Sequence, residues 1–190
     1  NVGSILSKIG QPAVPSYVIS KFALRGVSEA LRSELAEERD IHVCTVFPYA
    51  VNTQHFETGA NELGRAIDAM PPVQDPRDVA RAIARLAERP RRELHVPRYA
   101  ALGLAAHRVF PRTVERLLAR SIWRFHVSDR PEPRKLGNLY SPTDHDAKVE
   151  GSRPPAVSRA RFTRWTLREL ARMEADSARR FFRRASTSSS

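Results

Sequence analysis

A chain of 190 residues with 41% hydrophobic content and a formal net charge of +11 is long enough for one domain, or one domain with an extension, around an ordinary core. No run approaches the roughly 18 consecutive apolar residues of a helical membrane span. One cysteine, Cys44, excludes an intramolecular disulfide and any multi-cysteine zinc site, and so sparse a cysteine content points to a reducing, cytoplasmic compartment.

The charge is lopsided. Residues 1–75 hold 6 Lys and Arg against 9 Asp and Glu, whereas residues 76–190 hold 26 against 12. An acidic front and a basic rear suggest two tasks, the basic side being suited to anionic lipid or nucleic acid. Arginines outnumber lysines 28 to 4, which also reads as a general arginine preference on a solvated face.

In chain order, residues 16–39 predict one helix. Pro15 suits its first turn, and Val18, Ile19, Phe22, Ala23, Val27, Ala30, Leu31 and Leu35 recur at helical spacing. The β-branched run Ile41–Phe47, which includes His42 and Cys44, predicts a buried strand ending at Pro48. A polar loop with Gly59, Gly64, Pro71 and Pro72 follows, and Asp75-Pro76 opens a second helix through about Glu88. Glu93–Pro97 predicts a short second strand. Strand, helix, strand in that order implies an α/β unit with a parallel sheet.

Beyond Arg98 the character changes. Residues 98–127 predict a broken amphipathic helix pair interrupted at Pro111. Residues 128–160, with Pro131, Pro133, Pro142, Pro154 and Pro155, read as an irregular linker. Residues 161–184 predict a basic amphipathic helix, and the Ser-rich end, 185–190, a disordered tail. The histidines carry no metal signal: His42 and His95 lie on different predicted strands, and His107, His126 and His145 are widely spaced. Cys44 reads as a core residue.

The chemistry-bearing residues fall in the first 53. Tyr17 and Lys21 are four apart on the predicted helix, so they share a face and their heads can converge. An ammonium beside a phenol stabilises the phenolate and lowers a pKa that starts near 10. A phenol tuned this way can exchange a proton with an alcohol or carbonyl oxygen. Ser4 closes a short apolar segment thirteen residues before Tyr17, where the C-terminal end of a strand would set its hydroxyl beside the phenol to hold a substrate oxygen.

Ser4, then Tyr17-Val18-Ile19-Ser20-Lys21, then the strand running into Pro48-Tyr49-Ala50-Val51-Asn52-Thr53 resembles the short-chain dehydrogenase/reductase family over roughly residues 1–97. The resemblance implies the C-terminal part of a Rossmann-type, doubly wound parallel sheet followed by a mostly helical extension. It also implies hydride transfer between NAD or NADP and a small-molecule carbonyl or alcohol. By it, Tyr17 is the acid/base, Lys21 binds the nicotinamide ribose and tunes the tyrosine, and Ser4 orients the substrate. Pro48, Val51 and Thr53 match positions at the nicotinamide. The tyrosine helix, 16–39, would serve as a homo-oligomer interface.

Two features depart from the family pattern. Tyr49 stands where the family has glycine, so its side chain would crowd the nicotinamide or force another backbone path. The glycines here form no G-x-x-x-G-x-G turn, the element that cradles a dinucleotide pyrophosphate. The expectation is a portion of a longer enzyme whose 190 residues alone neither bind NAD(P) nor turn over.

Phe56, Leu63, Ile67 and Met70, with Tyr99, Leu102 and Leu104, would line a site for a bulky apolar substrate or would pack the loop onto the sheet. For the basic helices, docking on their own domain is the first reading. Peripheral contact with an anionic membrane is the second, and nucleic acid is the least favoured. A rival reading of the whole chain is an inactive fragment that binds a membrane or partner through those helices.

Overall fold

The computed structural model describes residues 1–142, 147–152, 155 and 157–187, with side chains as far as Asp176. The chain forms two compact units, residues 1–156 and 157–190. The first is a mixed α/β unit built on a small parallel sheet. Strand β1 (Thr45–Pro48) pairs in parallel with β3 (Glu93–Val96), Thr45 opposite Glu93 and Pro48 opposite Val96. On the other edge of β1 the opening residues run parallel to it: Gly3 N donates to Val46 O at 2.8 Å and Val46 N to Asn1 O at 3.0 Å.

Alternation along β1 sorts the core onto two faces. Val46 and Val96 meet Val79 and Leu86 of helix α3 (Pro76–Glu88), with Cys44, Val51, Ala82 and Leu94 around them. Phe47 points the other way, into Ile5 and Ile9, with Leu6, Tyr49, Ala100, Leu104, Val114 and Leu118 against that cluster. The last four residues come from α4 (Ala100–Val109) and α5 (Pro111–Ser121). Pro111 breaks the pair as expected, because it can start a helix but not continue one.

Helix α1 spans Pro15–Glu34 with Pro15 in its first turn. It is tied to the sheet by polar contacts: Asn1 Nδ2 donates to Ser28 Oγ at 2.9 Å, and Arg32 Nη1 to the buried Thr45 hydroxyl at 3.1 Å. Helix α3 starts where Asp75 caps it, the carboxylate accepting from Arg77 N at 2.7 Å.

The structure departs from the expected elements in several places. Strand β1 begins at Thr45 rather than Ile41 because its partner runs only from Glu93, leaving Ile41 51% exposed and His42 outside the strand. The predicted loop after Pro48 contains a one-turn helix, α2 (His55–Thr58), and a strand, β2 (Arg65–Ile67). Its partner is β4 (Val127–Pro131), paired antiparallel and reached from α5 through a π-helical turn, Ile122–His126.

The stretch read as a linker therefore opens on a strand. It goes on to pair Lys135 with Asn61 through backbone bonds of 2.8 and 2.9 Å. The second unit holds α6 (Arg159–Thr187), which starts two residues earlier than expected and takes in residues 185–187 of the predicted tail. His145, Pro154 and residues 188–190 lie outside the described residues.

Candidate active site

The site grows from the C-terminal ends of β1 and the parallel segment beside it, where an open α/β sheet leaves room for ligands. Residues 1–3 deliver Ser4 to the N-cap of a 3₁₀ turn, Ile5–Ser7. The Ser4 hydroxyl accepts from Leu6 N at 3.1 Å, and the Ser7 hydroxyl accepts from Ser4 N at 3.1 Å. This reciprocal cap fixes a side chain that is almost wholly buried. With one lone pair engaged, Ser4 Oγ keeps its proton to donate, and its interaction with Tyr17 favours the phenolate.

Tyr17 lies in the first turn of α1 and Lys21 one turn later, so the four-residue spacing brings them together as expected. The Lys21 ammonium lies 5.5 Å from the Tyr17 ring centroid and makes one long bond, 3.4 Å, to Val2 O.

The electrostatics differ from the sequence expectation. The Tyr17 pKa is raised above its ordinary value, because burial of the phenol outweighs the lowering effect of the Ser4 hydrogen bond. Lys21 does not reverse this, because its ammonium sits over the ring and leans to the Val2 carbonyl. At neutral pH Tyr17 therefore holds its proton.

The turn after β1 supplies the remaining expected residues. Pro48 is buried at the strand end. Val51 pairs with Gln74 through an isolated parallel bridge, and Thr53 N donates to Val51 O at 2.9 Å, closing a tight turn. Tyr49 does not lie over this turn. Its ring packs with the Ile5–Ile9–Phe47 cluster, and burial, with Tyr99 adding to it, pushes its pKa up to about 12.

The apolar residues expected to line a substrate site are dispersed. Met70 is buried, Leu104 packs into the Phe47 cluster, and Leu102 is 72% exposed. Among the described residues, no three His, Cys, Asp or Glu side chains converge where a metal ion could sit.

One residue reaches the site that nothing in the sequence singles out. His55, the first residue of α2, sets its ring 5.8 Å from that of Tyr17 at an interplanar angle of 43°. Desolvation and the Lys21 ammonium lower its pKa, so it is neutral at pH 7. Its position two residues beyond Thr53 was the available signal, but a contact across 38 residues leaves no periodic trace.

Residues 1–63, which carry Ser4, Tyr17, Lys21, Pro48, Val51, Thr53 and His55, match the family model of the short chain dehydrogenases. Those 63 residues are thus similar to the short-chain dehydrogenase/reductase family. It is similar to the uncharacterized oxidoreductase YxnA of Bacillus subtilis (strain 168), with 30% identity over 147 residues, covering 74% of this chain and 40% of that protein. The chain thus spans two fifths of the length of that relative. No solved structure matches it.

Proposed function

We propose that this chain carries the catalytic and substrate-binding part of an NAD(P)-dependent oxidoreductase that reduces a carbonyl, or oxidises the corresponding alcohol, within a Rossmann-type fold. The observation that carries the reading is the Lys21 ammonium over the Tyr17 ring, with Ser4 interacting with the same phenol, in a segment that matches the family model. The donor set fits a nicotinamide nucleoside. An ammonium has three N–H groups and Lys21 spends one on a single long bond to Val2 O, so it would hold the ribose hydroxyls, and the turn Pro48–Thr53 would meet the carboxamide.

When bound, the nicotinamide supplies or accepts the hydride. The chain's own residues do the rest. Ser4 Oγ donates to the substrate oxygen and holds it at the phenol. As negative charge develops there, the Tyr17 hydroxyl transfers its proton to that oxygen, and the Lys21 ammonium stabilises the phenolate left behind. A phenol protonated at neutral pH suits the reductive direction.

The Ile19, Phe22, Ala23, Val27 and Ala30 face of α1 is exposed, and we assign it to a homo-oligomer contact. The assay is NADH or NADPH oxidation with a panel of apolar ketones and aldehydes, on the protein as its cell makes it. Tyr17→Phe should lower kcat by roughly 10²- to 10⁴-fold, and turnover untouched by that change refutes the assignment.

A second reading rests on the exposure of Leu102, Phe110 (63%) and Trp123 (52%) beside Arg108, Arg112 and Arg124. Aromatic and apolar side chains among arginines suit peripheral contact with an anionic membrane. Salt-sensitive pelleting with phosphatidylserine vesicles supports it, and no retention at low salt removes it.

A further inference from the structure

We propose that His55 is a positioning residue for Tyr17: a neutral imidazole, carried on α2, that covers one side of the phenol and holds it against Ser4 and Lys21. The proposal rests on the reading of Tyr17 as the acid/base. Its basis is a chain of four rings. Tyr17 faces His55 at 5.8 Å, His55 meets Phe56 edge-on at 5.6 Å and 70°, and Phe56 meets His126 edge-on at 6.2 Å and 80°. Edge-to-face pairs at such distances are attractive and directional.

The far end of the chain is immobilised. His126 is buried and its Nδ1–H donates to Asp68 O at 2.6 Å, which fixes the tautomer, while the buried Asp68 carboxylate pairs with Arg130. Both partners belong to the β2–β4 sheet and the turn feeding it. Helix α2 is held independently at its base. The Lys135 ammonium donates to Glu57 O at 2.6 Å, Lys148 N to Gln54 Oε1 at 2.9 Å, and Ser152 N to the Glu57 carboxylate. A four-residue helix is not stable by itself; here two segments, 126–135 and 148–152, set where it lies. They fix His55 over the phenol as a rigid wall, and this gives the residues after Val127 a part in the site.

The charged and titratable groups facing His55 are Tyr17 and Lys21 on α1; beyond Phe56 stand His126, Asp68 and Arg130. An imidazolium beside the Lys21 ammonium would be repelled, so the clamp holds with His55 neutral. This predicts a link between the two rings. Removing the imidazole lets water reach the phenol and brings the Tyr17 pKa down toward its ordinary 10.0, whereas a phenyl ring in its place keeps the phenol covered.

The test is a ¹³C NMR titration of Tyr17 and His55 in the 190-residue chain. Tyr17 should titrate above 10 in the wild type and in His55→Phe but closer to 10 in His55→Ala, with each fold verified by amide shifts. In the wild type, the Tyr17 resonances should also move as His55 protonates below pH 6.5, and that movement should be missing in His55→Phe. This second measurement holds even if His55→Ala does not fold.

In the turnover assay, His55→Ala should lower kcat roughly 10- to 100-fold with little change in KM, and His55→Phe should recover most of it. Tyr17 shifts blind to His55 titration, or a Tyr17 pKa equal in His55→Ala and wild type, overturn the proposal. If instead Tyr17→Phe leaves turnover intact, the functional reading fails while the ring coupling stands.

Discussion

Phe47→Ala tests the packing that sets the site. Phe47 has no exposed surface and fills the space between Ile5 and Ile9 on one side and His95 on the other, whose ring stacks on it at 5.3 Å. The Lys8 ammonium lies 4.5 Å from its centroid while bound to Glu93 Oε2 at 2.5 Å. The ring also backs the segment that delivers Ser4: a Cβ on Gly3 would meet Phe47 Cδ1 at 3.0 Å.

Truncation removes a phenyl ring from a site walled by Ile5, Ile9 and His95 at the end of the sheet, which collapses little. The cost should therefore fall within the about 3–5 kcal/mol measured for such changes, to which the lost cation–π contact adds about 0.5–1 kcal/mol. Phe47→Leu keeps most of the volume and should cost about 1–1.5 kcal/mol.

Urea unfolding followed by circular dichroism reads both, with the midpoint falling and the slope unchanged. A Phe47→Ala loss below about 1 kcal/mol, or equal losses for Ala and Leu, would refute the reasoning. The same packing predicts that Gly3→Ala destabilises by about 1–3 kcal/mol and displaces Ser4.

Further outcomes follow from the charges and caps. His55, His95 and His126 all have pKa values lowered chiefly by burial. Between each folded value and the unfolded 6.5 the unfolded state binds more protons, so their stabilising effect is complete above pH 6.5 and is lost as pH falls through the folded values. Urea midpoints at pH 7.5 and 5.5 should show that fall, and a midpoint that does not move contradicts it. Asp75→Ala removes the side chain that caps α3 and should cost about 1 kcal/mol in the same assay, with Asp75→Asn close to wild type.

What could be read from the sequence follows physical range. Helices α1 and α3 announce themselves through 3.6-residue periodicity and the Pro15 and Asp75-Pro76 starts, β1 through a β-branched run before Pro48, and β3 through a short run before Pro97. Tyr17 and Lys21 are legible because their contact is local to one helix turn. Helix α2 and strands β2 and β4 are three to five residues long, too short for periodicity, and the two strands pair across sixty or more positions.

Helix α2, too short to show itself, is what carries His55 to Tyr17. The tuning of Tyr17 is not legible in the sequence, because spacing brings Lys21 near the phenol but says nothing of burial, and burial decides the sign of its shift. Tyr49 resolves similarly: a large ring in a glycine's place finds room in the core cluster, which no local pattern reveals.

The most direct measurement of the central claim is isotope transfer. The protein as its cell makes it is incubated with an apolar ketone and NADH or NADPH carrying two deuteriums at the nicotinamide C4, and the product is analysed by mass spectrometry and NMR. The account predicts one deuterium at the carbinol carbon per cofactor oxidised, with Tyr17→Phe giving almost none. Cofactor oxidation without deuterium at that carbon, or equal transfer by Tyr17→Phe, would contradict it.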